Sequence, residues 1–185
     1  MNTPNRITIF RMIIAPLFLV IYFLNINYKM LISAVIFAVG AITDAIDGKL
    51  ARKNNIVTNF GKLLDPIADK MLVTAGFLAL MQDGLCNIWI VMLMLTREFA
   101  VTSVRLIAAA QGVVIPANIG GKIKTVFQMV SLIAIMLIGE ADVVFGFGWN
   151  LPLISNILLG ITALISVVSG LVYILDSRKV IDFKS

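Results

Sequence analysis

No histidine occurs anywhere in the 185 residues, and there is a single cysteine, Cys86. The first absence removes the commonest general base at neutral pH and the commonest zinc ligand. The second excludes an internal disulfide. Cys86 heads an apolar run and reads as a small core hydrophobe, not as a reactive thiol. Charge is scarce as well: 14% of residues are charged against 60% hydrophobic, and the mean hydropathy is +1.02. That excludes an ordinary soluble domain, and apolar stretches recurring along the whole length indicate an integral membrane protein. The formal charge of +5 does not call for nucleic acid, because cytoplasmic loops of membrane proteins are basic in any case. Acid–base or metal chemistry in this chain must rest mainly on carboxylates.

What is present is a series of apolar segments near the ~20 residues that a helix needs to cross a bilayer. Six are expected, at about 7–24, 30–52, 61–82, 86–112, 119–139 and 152–175, in one domain over 1–185. The turns NINY (25–28), QDG (82–84) and GEADVVFGFGWN (139–150) fall on one side. Arg6, Arg11, Lys49, Arg52, Lys53, Lys62, Lys122, Lys124 and the basic C-terminal residues fall on the other, whereas the first side offers only Lys29. The positive-inside rule then puts both termini and the 53–60 loop in the cytoplasm, in a multi-pass protein of the cell (inner, cytoplasmic) membrane. The first segment has Arg6 and Arg11 ahead of its apolar core with no small-residue cleavage site after it, so it reads as a retained anchor.

In segments two to five the apolar part is too short to cross alone. Each continues towards the cytoplasm through charged or polar turns, carrying Asp44 and Asp47, Asp65 and Asp69, Arg97 with Glu98 and Arg105, and Lys122 with Lys124 and Gln128. An ionised group facing lipid costs about 2.5–3.5 kcal/mol at mid-membrane on insertion scales. Four helices with the same apparent fault at one depth imply a shared wet cavity, open to the cytoplasmic side. The expected fold is therefore an all-α integral membrane bundle of six transmembrane helices around a polar cup, with the active site facing the cytoplasm.

Asp44 and Asp47 are three apart and Asp65 and Asp69 four apart, so each pair shares a helix face. The short 53–60 connection makes their helices antiparallel neighbours and brings both pairs to one depth. Four like charges there would repel unless some protonated or cations intervened. Oxygen-only ligands suit a hard ion, Mg²⁺ or Mn²⁺, and four carboxylates could hold two ions, as a diphosphate substrate favours. Taken singly, each feature has a plainer use. Asp44 and Asp47 could pair with Lys49 and Arg52, Gly48, Ala51 and Gly61 could serve close helix contact, and Lys49, Lys53, Lys62 and Lys70 could snorkel.

Together, residues 44–69 read D-x2-D-G-x2-A-R-x8-G-x3-D-x3-D. This resembles the signature of the CDP-alcohol phosphotransferase family at every specified position: Asp44, Asp47, Gly48, Ala51, Arg52, Gly61, Asp65 and Asp69. The opening NTPNRITIFRMI is similar to the family's amphipathic N-terminal segment. The resemblance implies transfer of a phosphate-linked group from a CDP-activated donor to an alcohol, with release of CMP. It implies Asp44, Asp47, Asp65 and Asp69 as ligands of two divalent ions, and Asp69 also as the base for the acceptor hydroxyl. It further implies Asn5, Thr8, Gly48, Ala51, Arg52 and Gly61 around CDP, and a homodimer.

Residues 95–129 resemble the phosphatidylglycerophosphate synthase branch, whose donor is CDP-diacylglycerol and whose acceptor is glycerol 3-phosphate. Arg105, Lys122 and Lys124 would then seat the acceptor phosphate, and Arg97 with Glu98 would be an internal ion pair. Alternative acceptors are phosphatidylglycerol, inositol phosphate or serine. An aspartate-rich prenyltransferase would also bind a metal diphosphate, but the six short spans and the decorated motif disfavour it. A divalent-cation transporter would need a polar path through the outer halves of segments two to five, and those are unbroken apolar runs. Asp69→Asn should abolish CMP release while the protein still inserts and binds metal more weakly; near-normal turnover would take Asp69 out of the base role.

Overall fold

The computed structural model of the protein describes residues 3–54, 59–113 and 119–178, the side chains of 3–8, 44–54, 59–66 and 69 excepted. It holds six helices: α1 (Thr3–Phe23), α2 (Lys29–Asn54), α3 (Asn59–Gln82), α4 (Ile88–Ala110), α5 (Ile119–Phe145) and α6 (Leu151–Ser177). No strand occurs among the described residues. Helix ends follow local chemistry. Asn87 accepts a hydrogen bond from the Trp89 amide and Asn150 from the Leu153 amide, capping α4 and α6. At the far ends of α3 and α4, Gly84 and Gly112 adopt φ of 73°. There Leu85 and Val113 donate back to the Leu80 and Ala108 carbonyls at 2.8 and 2.9 Å, closing Schellman turns.

Five helices begin and end within a few residues of expectation. The fifth differs: α5 runs through GEADVVF, 139–145, which the sequence pattern assigned to a turn. The cause is Glu140, whose carboxylate accepts from the Met30 and Leu31 amides at 3.0 and 3.2 Å. It caps the start of α2 from another helix and is itself buried. Helical geometry must therefore continue past 139, and the turn shrinks to 146–150, with Gly146 and Gly148 at φ of 66° and 68°.

The bundle is apolar outside and partly polar inside. Large hydrophobics such as Trp89, Leu106, Ile119, Val143 and Leu164 are exposed, whereas Ser33, Ser131, Ser155, Thr162 and Ser166 are fully buried. Ser131 and Thr162 hydrogen-bond across α5 and α6 at 2.9 Å. Small and hydroxyl-bearing residues inside with bulky apolar ones outside is the arrangement lipid favours, since lipid supplies no hydrophobic drive to bury the latter. Among the described residues, α5 and α6 are each long and apolar enough to cross a membrane; α1, α2 and α3 have shorter apolar parts, at Ile9–Phe23, Lys29–Thr43 and Lys70–Gln82.

α1 packs on α2 and α3, α5 joins α2 to α6, and α4 rests chiefly on α6. The aromatic centre is Phe18, with Tyr22 and Phe37 at centroid distances of 5.8 and 5.7 Å. The three short turns meet at one end of the bundle. Asp83 accepts from the Tyr22 hydroxyl at 3.0 Å and pairs with Lys29 at 3.5 Å, and the Asn87 amide donates to Asn156 Oδ1 at 2.8 Å. Removing the Glu140 carboxylate (Glu140→Ala) strands two amides and should lower unfolding stability in detergent by about 1–3 kcal/mol. Glu140→Gln, which keeps an acceptor, should lose less in the same chemical-denaturation measurement.

Candidate active site

Two glycines set how α2 and α3 lie together. A Cβ on Gly40 would come within 2.7 Å of Leu72 Cδ2 and 3.2 Å of Ile14 Cγ2, and a Cβ on Gly76 within 3.0 Å of Phe37 Cε2. The missing side chains make room for Leu72 and Ile14 at Gly40 and for Phe37 and Leu132 at Gly76, and these contacts fit an antiparallel register in which 37 is level with 76 and 40 with 72. Asp44 lies one turn beyond Gly40 on α2, and Asp69 about one turn before Leu72 on α3. Asn5, Thr8, Asp44, Asp47, Gly48, Ala51, Arg52, Gly61, Asp65 and Asp69 lie outside the residues whose side chains are described. Among the described residues no cluster of three or more potential metal-ligating side chains occurs.

The cationic residues expected at the acceptor phosphate are described, and they occupy different settings. Lys124 is only 5% exposed and forms an ion pair with Glu98 of α4. Arg105 donates through Nε to the Tyr173 hydroxyl at 3.2 Å and stands 5.2 Å from that ring's centroid, a cation–π geometry on α6. Lys122 is exposed. Glu98 is thus shared between Lys124 and Arg97, whose Nη1 lies 3.4 Å away.

The expected Arg97–Glu98 pair is present, and Arg97 does more than pair. Its Nε donates to the Ser166 carbonyl and its Nη2 to Ser169 Oγ, both at 3.0 Å. Gly170 makes the space: a Cβ there would lie 2.8 Å from Arg97 Cγ and Nε. The guanidinium therefore bolts α4 to α6 while orienting the carboxylate that holds Lys124.

Two relations were out of reach of sequence reasoning. Nothing in local spacing links Glu98 to a lysine 26 positions on, although an acidic residue amid an apolar helix signals some buried partner. Lys70, assigned to snorkelling, instead donates to Thr102 Oγ1, and Thr102 in turn donates to the Glu98 carbonyl at 2.8 Å. The residue that follows Asp69 thereby ties α3 to α4.

The regular structure among the described residues is all helical, with acidic turns on α2 and α3 and a partly buried Arg97–Glu98–Lys124 trio. The family profile for CDP-alcohol phosphatidyltransferase matches residues 1–172, and the chain belongs to that family of transferases. Curated relatives agree. A Bacillus subtilis CDP-diacylglycerol–glycerol-3-phosphate 3-phosphatidyltransferase is 42% identical over 148 residues, covering 74% of this chain and 77% of its own. A Rickettsia bellii protein of the same name is 34% identical over 180 residues and 96% of each chain. A probable phosphatidylglycerophosphate synthase of Mycobacterium tuberculosis is 40% identical over 134 residues, 71% of this chain and 64% of its own.

Gly170→Ala should displace the Arg97 side chain and loosen the α4–α6 seam, lowering the melting temperature in detergent by an amount equivalent to about 1–3 kcal/mol. Gly160→Ala is the control on the same helix. Its new methyl meets nothing within 4 Å, so the melting temperature should hold or rise with improved helix propensity.

Proposed function

We propose that the protein transfers the phosphatidyl group of CDP-diacylglycerol to glycerol 3-phosphate, giving phosphatidylglycerophosphate and CMP. It would act as one domain over residues 1–185, with six membrane-crossing helices and a polar cup open to the cytoplasmic side of the cell membrane. A homodimer is part of this reading through the family resemblance. The observation that carries it is the α2–α3 register. Continued by one turn from Gly40 and Leu72, it brings position 44 level with 69, and 47 with 65. The curated relatives named for this reaction supply the substrates.

The residues at these four positions are all aspartates, an oxygen-only set of the kind that suits hard divalent ions, and Asp44, Asp47, Asp65 and Asp69 would hold two of them, Mg²⁺ or Mn²⁺. When bound, such ions neutralise a diphosphate and stabilise a phosphate leaving group. The chain's own residues account for the remainder. Asp69 accepts the proton of the acceptor hydroxyl. The hydroxyl oxygen forms a bond to the phosphorus that bears diacylglycerol, the bond from that phosphorus to the CMP oxygen breaks in line, and CMP leaves with the electron pair. A carboxylate of ordinary pKa is a weak base, so alignment of the hydroxyl provides most of the acceleration.

Asn5, Thr8, Gly48, Ala51, Arg52 and Gly61 would surround CDP. Arg105, Lys122 and Lys124 would receive the acceptor phosphate. Within the trio one carboxylate, Glu98, faces two cations, Arg97 and Lys124, and the surplus positive charge suits an anionic acceptor over a neutral alcohol.

Purified protein should release CMP from CDP-diacylglycerol with glycerol 3-phosphate, and not with phosphatidylglycerol, inositol phosphate or serine; a different productive acceptor would move the chain to a sibling activity. Chelating divalent ions should abolish release, and adding them back should restore it. Uptake of metal into proteoliposomes without CMP production would favour a transporter. Arg105→Ala and Lys122→Ala should each raise the acceptor KM roughly tenfold with kcat little changed, the loss expected for a charge-assisted hydrogen bond. A change confined to donor affinity would place the acceptor elsewhere.

A further inference from the structure

α3 and α4 follow each other in the chain but touch little. α3 packs mainly on α1, α4 rests chiefly on α6, and a cleft of about 650 Å³ opens between α1, α3 and α4. Apolar packing therefore does little to fix α3 against α4, although the two carry different halves of the proposed reaction. α3 bears Asp65 and Asp69, and α4 bears Arg105 and the Glu98 that engages Lys124.

What crosses the gap is polar. The Lys70 ammonium donates to Thr102 Oγ1 and stands 5.8 Å from the Phe99 ring centroid. The Thr102 hydroxyl donates to the Glu98 carbonyl at 2.8 Å. Its one proton is thus committed within α4, and a lone pair is left for Lys70, a division that a hydroxyl permits and a methyl does not. From Glu98 the series continues through the carboxylate to Lys124 of α5 and to Arg97. Arg97 extends it to Ser166 and Ser169 of α6. Polar contacts therefore run without a break from the residue after Asp69 to a cation expected at the acceptor phosphate. Lys70, Thr102 and Glu98 are each half-buried, where such bonds are stronger than in open water.

We propose that Thr102 is a positioning residue for the transfer: by holding Lys70 it sets the spacing between the Asp69 turn and the Glu98–Lys124 pair. The inference rests on the reaction proposed above and gives Thr102 no contact with substrate. In that reaction glycerol 3-phosphate spans the spacing, its hydroxyl at Asp69 and its phosphate at Lys124. A spacing wrong by about 1 Å still lets both ends bind but misaligns the hydroxyl with phosphorus, an error that can cost roughly 100-fold in rate. The signature is a loss of kcat with substrate binding kept.

Thr102→Val keeps the shape of the side chain, changes no charge and removes the hydroxyl. It should lower kcat at least about tenfold, with KM for both substrates within about threefold. Thr102→Ser, which restores the hydroxyl, should recover at least about half of the wild-type kcat. Lys70→Met combined with Thr102→Val should cost no more than the worse single change, because both remove one bond. A bond with only a structural part would lower the melting temperature in detergent and leave kcat in place, and that result overturns the role. Equal losses in Thr102→Ser and Thr102→Val, a rise in KM in place of the fall in kcat, or losses that multiply in the double variant overturn it as well. If Thr102→Val does not fold, Lys70→Met decides by the same split of kcat from KM, with Lys70→Arg as the conservative partner. A wild type that releases no CMP with any acceptor fails the reaction reading and takes this role with it. An active wild type beside an equally active Thr102→Val overturns the role alone.

Discussion

The packing of α1 against both α2 and α3, which holds those two helices in antiparallel register, is the constraint on which the rest of this structure depends. Two glycines, Gly40 and Gly76, lack the atoms that would otherwise meet Leu72 and Phe37. In lipid the seating of bulky side chains against small residues is a main source of helix association, because dispersion contacts grow steeply as atoms near one another. The packing also sets register. Shifting α3 by one turn would separate the two acidic turns by about 5 Å along the helix axes.

Around that pair, the two ends of the bundle are built differently. At the end with the short turns, Asp83, Lys29, Tyr22, Glu140 and the Asn87–Asn156 contact tie helices to one another through neutral or compensated polar groups. Towards the other half, cations dominate: Arg97, Arg105 and Lys124 are each engaged by groups from neighbouring helices. Lys124 is buried and Arg97 half-buried, whereas Arg105 is exposed; buried charges are expensive to assemble and gain their value from orientation more than from stability.

Much of this was legible in the linear chain, and the failures have physical causes. Six helices followed from apolar segment length, and the family from eight residues at fixed spacing, 44 to 69. The end of α5 was misplaced because GEADVV has turn-like composition, and only the α2 amides explain why Glu140 stays helical. Lys70 read as a snorkelling lysine because its partner, Thr102, is 32 positions away. Lys124 was expected at the acceptor phosphate, and its pairing with Glu98 on another helix lay beyond local spacing. Arg97 was assigned correctly in kind, as an ion pair with its neighbour. Its larger part, holding Ser166 and Ser169 of α6, needed the third dimension.

By itself the sequence determined class and family: composition pointed to lipid, the lack of histidine removed the commonest general base, and the aspartate spacing named the family. Those are properties of residue type and of intervals shorter than two helical turns, where chain geometry is nearly invariant. Tertiary structure alone decided which charges meet, how deep α2 and α3 lie against each other, and where a cleft remains open between α1, α3 and α4. Each of these depends on side chains tens of residues apart, whose contacts arise from how whole helices fit together and leave no trace in local spacing.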